Sequence, residues 1–264
     1  MNTRNFPRTV LALAALFVTV GVPQSITAAD GAQPQFYELR VYTTHSERQQ
    51  KLVSDYWQNA AIPAYNRMGS QPVGVFTELE DSATNKIYVL IPFDSPAAVP
   101  AIPARLAADS DYQKAAAEYL GVPKSDPAYV RFQSSLLVAF DGMKKLALPP
   151  SAAGKKPWLF ELRIYESPSE SKGINKVQMF NSGEIPLMQE VGLSPVFFAQ
   201  TLIGSQMPCL IYMVSGENRD DHKQHWKGFF DAPVWKKLSS DPQYKDNVSR
   251  VISTFLKRTS ASQI

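Results

Sequence analysis

The sequence contains an internal repeat at an offset of 123 residues, and no other feature limits its possible folds as strongly. The stretch FYELRVYTT at 36–44 returns as LFELRIYES at 159–167. Residues 37–79 align with 160–202 without a gap, and 12 of these 43 positions are identical. A duplication of this extent predicts two copies of one structural unit.

The two copies are separated by a segment with the composition of a linker. The sequence DGMKKLALPPSAAGKKP at 141–157 combines Pro, Gly, Ala and Lys without apolar periodicity. We therefore expect a first domain at 30–140 and a second at 158–264, each of about 110 residues, a common domain size. Beyond the ungapped region, a slip of one residue aligns IYVL at 87–90 with IYMV at 211–214.

Each half has the pattern strand, helix, strand, strand, helix, strand. In the first half the predicted strands are 36–43, 72–79, 86–93 and 134–140, and the predicted helices are 47–67 and 104–120. In the second half we predict strands at 159–166 and 248–256, a hairpin at 194–215, and helices at 170–191 and 220–239. Pro63 is expected to kink or end the first helix. The order βαββαβ is the ferredoxin-like arrangement, so the predicted class is α+β.

Several motifs of the chain resemble those of the NIPSNAP family. They are the phrase ELRxY on a strand, Ile-Pro late in the first helix followed by Gly, and HWKGFFDAPVW at 225–235. The resemblance spans about 36–140 and 158–257. It places the chain in the dimeric α/β-barrel superfamily and implies two tandem ferredoxin-like domains packed sheet to sheet as an α/β barrel. The family has no established general reaction, so the resemblance implies a fold more than an activity.

The two halves differ in the segment that carries the aromatic motif. The second half has Trp226 and Trp235 there, whereas the first half has AAVPAIPARLAADSDY at 97–112 and lacks both tryptophans. Any site built from this segment therefore occurs once in the chain. Core packing and a pocket wall both remain open as roles for these aromatic side chains.

The repeated phrase places charged side chains on one face of a strand, because alternate residues of a strand point to opposite sides. One face carries the apolar residues Tyr37, Leu39 and Val41 in the first copy and Phe160, Leu162 and Ile164 in the second. The other face carries Glu38, Arg40 and Tyr42 in the first copy and Glu161, Arg163 and Tyr165 in the second. We assign the apolar face to the helices and the polar face to the space between the two sheets.

Two interpretations of the polar face remain open. Each Glu–Arg pair could be a structural ion pair completed by a tyrosine hydroxyl, since charges inside a barrel have to be paired. Alternatively, Arg40 and Arg163 could bind an anionic or carbonyl-bearing small molecule, because the planar guanidinium suits carboxylates. Acid–base catalysis by Glu38 or Glu161 is a third reading. The candidate ligand-binding residues are Glu38, Arg40, Tyr42, Glu161, Arg163, Tyr165, Trp226 and Trp235.

Other chemistry-bearing residues give no defined site. His222 and His225 are three apart, but no third histidine is near in sequence, so we predict a solvated helix start and no metal site. The single cysteine, Cys209, lies in an apolar strand and is expected to be a packed side chain. We assign no catalytic residue and no cofactor, because no phosphate-binding loop, cysteine cluster or nucleophile elbow is present in the sequence.

The N-terminus has the three parts of a secretory signal peptide. Arg4 and Arg8 precede an apolar run from Val10 to Val22, and small residues end at Ala28 and Ala29. Residues 1–29 are therefore predicted to be removed, which leaves a secreted or periplasmic protein. The apolar run is short for a membrane span, and an uncleaved N-terminal anchor is the alternative. The remaining charges are nearly balanced and show no basic stripe, which argues against a nucleic-acid partner.

These observations predict an exported NIPSNAP-like protein of unestablished activity. We predict that the protein binds a small organic ligand or a protein partner through the α/β barrel. The alternative is a cofactor-poor monooxygenase or an isomerase-like enzyme, by analogy with the superfamily alone. The two halves are expected to form an internal pseudo-dimer, and higher homo-oligomers remain open.

Overall fold

The computed structural model describes Met1 and residues 33–80, 85–150 and 158–264. The predicted signal peptide after Met1 and residues 151–157 of the predicted linker lie outside these residues. Within the part of the chain that is described, no helix has the length and apolar character needed to cross a membrane.

Eight antiparallel strands form a closed barrel. They are β1 (Phe36–Thr44), β2 (Gly74–Glu78), β3 (Asn85–Phe93), β4 (Arg131–Ala139), β5 (Leu159–Glu166), β6 (Pro195–Ile203), β7 (Cys209–Gly216) and β8 (Arg250–Arg258). Their order around the barrel is β1-β3-β2-β8-β5-β7-β6-β4. The first four strands are therefore contiguous, as are the last four, and the two sets join through β2–β8 and β4–β6 pairing.

Helices cover the outside of the barrel in both halves. In the first half they are α1 (Glu47–Tyr56), α2 (Ile62–Arg67), α3 (Ile102–Ala108), α4 (Ser110–Ala115) and α5 (Ala117–Leu120). In the second half they are α6 (Glu170–Met179), α7 (Ile185–Glu190), α8 (Arg219–Asp231) and α9 (Pro233–Ser240). The α+β class is confirmed, and the strand and helix positions follow the sequence prediction closely.

A turn of π-helix joins the first two helices of each half, at Trp57–Ala61 and at Phe180–Glu184. Each lies directly before an Ile-Pro pair that opens the next α-helix. Proline lacks a backbone N–H and crowds the preceding turn, and a widened turn relieves that conflict. Pro63 therefore interrupts the regular α-helix, but the chain remains helical through it.

The interior of the barrel is apolar. Side chains from both halves meet there in one buried cluster that includes Tyr37, Leu39, Phe76, Phe160 and Phe197. Two further apolar clusters lie between the strands and the helices, one in each half. The molecule thus has three layers of core, and the barrel interior is the one that the two halves share.

The face assignment made from the sequence was wrong. Tyr37 and Leu39 fill the barrel interior, whereas Arg40 lies on the helix side and hydrogen-bonds Tyr65 of α2. The interior is closed all around by strands and gives a charge no route to water, so the apolar face belongs there. On the helix side, the Arg40 and Arg163 side chains each remain 17% exposed, so their charges keep contact with water.

Candidate functional site

In the first half, the Glu–Arg pair of β1 is completed by a serine from β4. The Arg40 Nε donates to Glu38 Oε1 at 2.6 Å, and Arg40 Nη2 donates to Glu38 Oε2 at 3.0 Å. Ser134 sits opposite Arg40 in the strand register, and its hydroxyl donates to Glu38 Oε1 at 2.6 Å. The remaining bond of Arg40 Nη2 goes to the Tyr65 hydroxyl at 2.9 Å.

The second half repeats this arrangement. Arg163 Nη1 donates to Glu161 Oε1 at 2.5 Å, and the Ser253 hydroxyl donates to the same oxygen at 2.5 Å. Ser253 sits opposite Arg163, as Ser134 sits opposite Arg40. Glu, Arg and Ser recur at the same strand positions in both halves, although Arg40 makes two hydrogen bonds to its glutamate and Arg163 makes one. This group of three therefore belongs to the architecture of the repeat.

Two further donors reach Glu161 from α8, and nothing equivalent reaches Glu38 among the hydrogen bonds of the described residues. His222 Nε2 and Trp226 Nε1 each lie 2.8 Å from Glu161 Oε2. They are four residues apart, so they share one face of the helix. Asn218 caps α8 by accepting hydrogen bonds from two backbone N–H groups and so fixes where this face begins.

The surroundings keep Glu161 ionised. Burial opposes the charged form, but hydrogen bonds from His222, Ser253 and Trp226 together with the charge of Arg163 outweigh it. The pKa of Glu161 is thereby lowered from 4.5 to about 2. Glu161 is consequently a fixed negative charge, not a proton donor near neutral pH.

The guanidinium of Arg163 lies between the Glu161 carboxylate and aromatic rings. Its Cζ atom is 4.6 Å from the centroid of Trp226 and 5.5 Å from that of Tyr165. Arg163 Nη2 donates to the Tyr165 hydroxyl at 3.2 Å, which in turn accepts from the Tyr212 hydroxyl at 3.0 Å. Arg163 Nε is buried without a hydrogen-bond partner. Burial raises the pKa of Tyr165 and of Tyr212, so both phenols stay protonated.

A buried ion pair lies beside this group. Lys176 Nζ of α6 is 2.5 Å from Glu184 Oε1 in the π-helical turn, and the two side chains are only 4% and 2% exposed. The ammonium also lies 4.8 Å from the Phe180 ring centroid and 5.7 Å from that of Tyr165. Burial raises the pKa of Glu184, although Lys176 and Arg163 favour its charged form.

In the first half, aromatic side chains occupy the corresponding space. At the offset of 123 residues, Val53 and Ala61 stand where the second half has Lys176 and Glu184, and both are buried. The Arg40 guanidinium faces the rings of Trp57, Tyr65 and Phe132 at 5.6 to 5.9 Å. Further tyrosines complete this layer, namely Tyr42, Tyr56, Tyr112, Tyr119 and Tyr129.

The predicted site residues therefore fall into two separate groups. Glu38, Arg40 and Tyr42 lie under the helices of the first half, and Tyr42 packs against Trp57, Tyr129 and Phe132. Glu161, Arg163, Tyr165 and Trp226 lie together under the helices of the second half. Trp235 packs on Phe229, with its ring centroid 5.7 Å from Lys176 Nζ, and adds an aromatic wall next to the ion pair.

The sequence prediction missed several members of the second group. His222 was predicted to lie at a solvated helix start, but it is 2% exposed and bound to Glu161. His222 is four residues before Trp226, and this spacing could have predicted that the two side chains lie on the same face of the helix. Ser253, Lys176 and Glu184 carried no such signal. Among the described residues, no His, Cys, Asp and Glu side chains form a group that could hold a metal ion.

Comparisons with known proteins agree with this fold. The family model described as NIPSNAP matches residues 37–124 and 160–263. No curated protein matches the sequence. A "putative monooxygenase" from Lactobacillus acidophilus is similar in structure, with a TM-score of 0.55 and 10% identity over 88% of this chain and 97% of its own.

Two more solved structures are similar to parts or most of the chain. A "putative monooxygenase" from Fusobacterium nucleatum subsp. nucleatum has a TM-score of 0.52 and 9% identity, over 86% of this chain and 93% of its own. An uncharacterised NIPSNAP-like domain protein from Burkholderia xenovorans is 18% identical over 39% of this chain and 86% of its own, with a TM-score of 0.35.

Proposed function

The chain belongs to the NIPSNAP family, and on that premise we propose that it binds a small organic molecule under the helices of the second half. Arg163 is the recognition group, and Trp226 forms the wall on which the ligand packs. The family has unknown function, so the proposal rests on the geometry of this site alone.

One observation carries the proposal: the second half adds functional groups to a framework that the first half builds without them. The group of Glu, Arg and Ser occurs twice, but only Glu161 is also bound by His222 and Trp226. The Arg163 side chain keeps partial exposure, and its buried Nε has no hydrogen-bond partner. A buried donor without a partner is costly, and a ligand oxygen would satisfy it.

The barrel interior is a poor alternative location for the ligand. It is filled by aromatic and aliphatic side chains from all parts of the barrel, such as Tyr37, Phe76 and Phe197. These side chains are almost completely buried and offer no charged partner for an organic acid or carbonyl compound. The helix side of the second sheet, by contrast, carries Arg163, whose side chain is 17% exposed.

The test is a thermal-shift screen of the mature protein against aromatic carboxylic acids and carbonyl compounds. We expect at least one class to raise the melting temperature of the wild type, since a ligand that binds only the folded state stabilises it. The variant R163Q should lose this shift, and the equivalent variant of the first half, R40Q, should keep it. A shift lost in R40Q and kept in R163Q would place the ligand in the first half and overturn the proposal.

The second candidate function is a cofactor-poor monooxygenase or isomerase-like enzyme. It is favoured by the contact between the His222 imidazole and the Glu161 carboxylate, an arrangement that can orient a general base. The similar structures named as putative monooxygenases support only the fold. Oxygen consumption by the wild type with a compound found in the screen, lost in H222N while binding is kept, would favour this candidate over binding alone.

The finer architecture is also part of the proposal. Each half contributes four strands in the order fourth, first, third, second, which is the order of a ferredoxin-like sheet. We infer two tandem ferredoxin-like repeats that act as an internal pseudo-dimer. We further propose export to the periplasm or the exterior, and association with protein partners or with further copies of the chain.

A further inference from the structure

The ion pair of Lys176 and Glu184 is not required by the fold, because the chain contains its own comparison. The first half builds the same helix, π-helical turn and helix with Val53 and Ala61 at the two positions. Buried ion pairs lose hydration, and apolar side chains in their place are often neutral or stabilising. A pair present in one repeat and absent from the other therefore points to a role in function.

The two carboxylates of the second half have opposite environments. Glu161 accepts from four side chains, and its pKa is lowered to about 2. Glu184 has one strong donor, Lys176, and burial raises its pKa. Where the environments of two neighbouring carboxyl groups differ in this way, the group whose pKa is raised is the one that exchanges a proton. Here that group is Glu184.

Four titratable side chains interact electrostatically with Glu184. Lys176 comes from α6, Arg163 and Tyr165 from β5, and Tyr212 from β7. Arg163 and Lys176 both lie against the ring of Tyr165, and they face the carboxylates of Glu161 and Glu184. Two cations are thus balanced by two carboxylates before any ligand enters.

An anionic ligand at Arg163 would upset this balance in a poorly hydrated space. An uncompensated negative charge there is expensive, and uptake of a proton by a nearby carboxylate removes the cost. Glu161 is held ionised by its four donors, which leaves Glu184. Lys176 would then retain its contact with the Phe180 ring and its attraction to the bound anion.

We propose that the ligand of this site is a monoanionic organic acid, and that it binds together with one proton, which Glu184 takes up from solvent. This inference rests on the proposed ligand site at Arg163. It identifies the substrate class and explains why the second half alone carries the ion pair. It also assigns Glu184 a positioning role, since the carboxyl group tunes the site without contacting the ligand.

Calorimetric titration of the mature protein with benzoate, and with the neutral isostere benzamide, tests this inference. Titrations in two buffers of different ionisation enthalpy give the number of protons taken up per ligand. We expect about one proton with benzoate and none with benzamide, and an affinity for benzoate that falls about tenfold per pH unit above the pKa of Glu184. The variant E184Q mimics the protonated state, so it should bind benzoate without proton uptake and with little pH dependence.

A matched control is E190Q, which makes the same change at an exposed glutamate of α7 and should leave proton uptake unaltered.

Benzoate binding by the wild type without proton uptake would overturn the inference and leave the proposed function standing. Proton uptake that persists in E184Q and disappears in H222N would also overturn it, because His222 would then be the acceptor. Binding of benzamide but not of benzoate would contradict the acid class. Failure of all the acids and carbonyl compounds would contradict the proposed function itself.

Discussion

Glu161 is the residue on which most of the second-half site converges. Its Oε1 atom accepts from Arg163 and Ser253, and its Oε2 atom accepts from His222 and Trp226. Hydrogen bonds to a charged acceptor are stronger than those between neutral groups. The carboxylate thus fixes one strand of the barrel to α8 and also sets the orientation of the arginine.

We predict that E161Q lowers the free energy of unfolding at neutral pH by about 3 kcal/mol. This magnitude follows from the difference between the pKa of Glu161 in the unfolded chain, 4.5, and its pKa in the folded chain, about 2. Because the folded-state pKa is the lower one, this stability is present above the unfolded pKa and is lost as pH falls from 4.5 toward 2. Chemical denaturation at neutral and acidic pH measures it.

The control for this prediction is E38Q, the same change in the first half. Glu38 has only Arg40 and Ser134 as side-chain partners in the hydrogen bonds described, so its replacement should cost less than that of Glu161. Equal losses in the two variants would show that His222 and Trp226 add nothing to the stability of the second site.

At the scale of elements, the π-helical turn is common to both halves and its side chains differ. It spans Trp57–Ala61 in the first half and Phe180–Glu184 in the second. The turn comes from the Ile-Pro pair that follows it, whereas the ion pair of Lys176 and Glu184 is an addition to it. The π-helical turn therefore forms with or without the charged side chains of Lys176 and Glu184.

We predict that the double variant K176M/E184L keeps the wild-type free energy of unfolding or exceeds it, because apolar side chains of similar volume replace a buried ion pair. The single variant K176M should lose about 3 to 5 kcal/mol at neutral pH, since it leaves the Glu184 carboxylate buried without its cation. Urea denaturation of both variants provides the measurement. A double variant as unstable as the single one would mean that the pair supports the fold.

At the scale of the whole molecule, neither half can complete a barrel alone. The β2–β8 and β4–β6 pairs join them, and the segment after β8 extends this contact. Gln263 exchanges hydrogen bonds with the backbone of Val73, and Ile264 is buried in the barrel interior. Separation of the halves would expose apolar side chains and leave two unpaired strand edges in each half.

We therefore predict that residues 31–148, expressed alone, form dimers or aggregates, whereas residues 30–264 keep these surfaces covered internally. Covalent linkage also favours the internal pair, through an effective concentration in the millimolar range. Light scattering on both proteins gives the comparison. A soluble, monomeric first half with cooperative unfolding would contradict the prediction.

The predicted signal peptide lies outside the described residues and stays a prediction. Its basic start, short apolar run and small residues at the cleavage region are the basis for it. The mass of the protein isolated from an exporting host would show a mature N-terminus near Asp30 if the leader is removed.

Local sequence was enough to determine the elements and their repetition. The alternation in FYELRVYTT predicts a strand, and the same alternation decides that Glu38 and Arg40 share one face of it. The duplication then predicts that Glu161 and Arg163 do the same in the second half. These properties depend on residues that are close in the chain, so no knowledge of distant contacts is needed.

Only the tertiary structure decided which face is enclosed and which strands are in register. Closure of the barrel through distant strand pairs encloses its apolar interior on all sides, and this sends Arg40 to the helix side. Arg40 pairs with Val89, and Arg163 pairs with Tyr212, so equivalent residues of β3 and β7 are also 123 positions apart. The slip of one residue that we predicted from IYVL and IYMV was therefore wrong. A shift of one residue reverses the faces of a strand, and the short motif alone could not fix it.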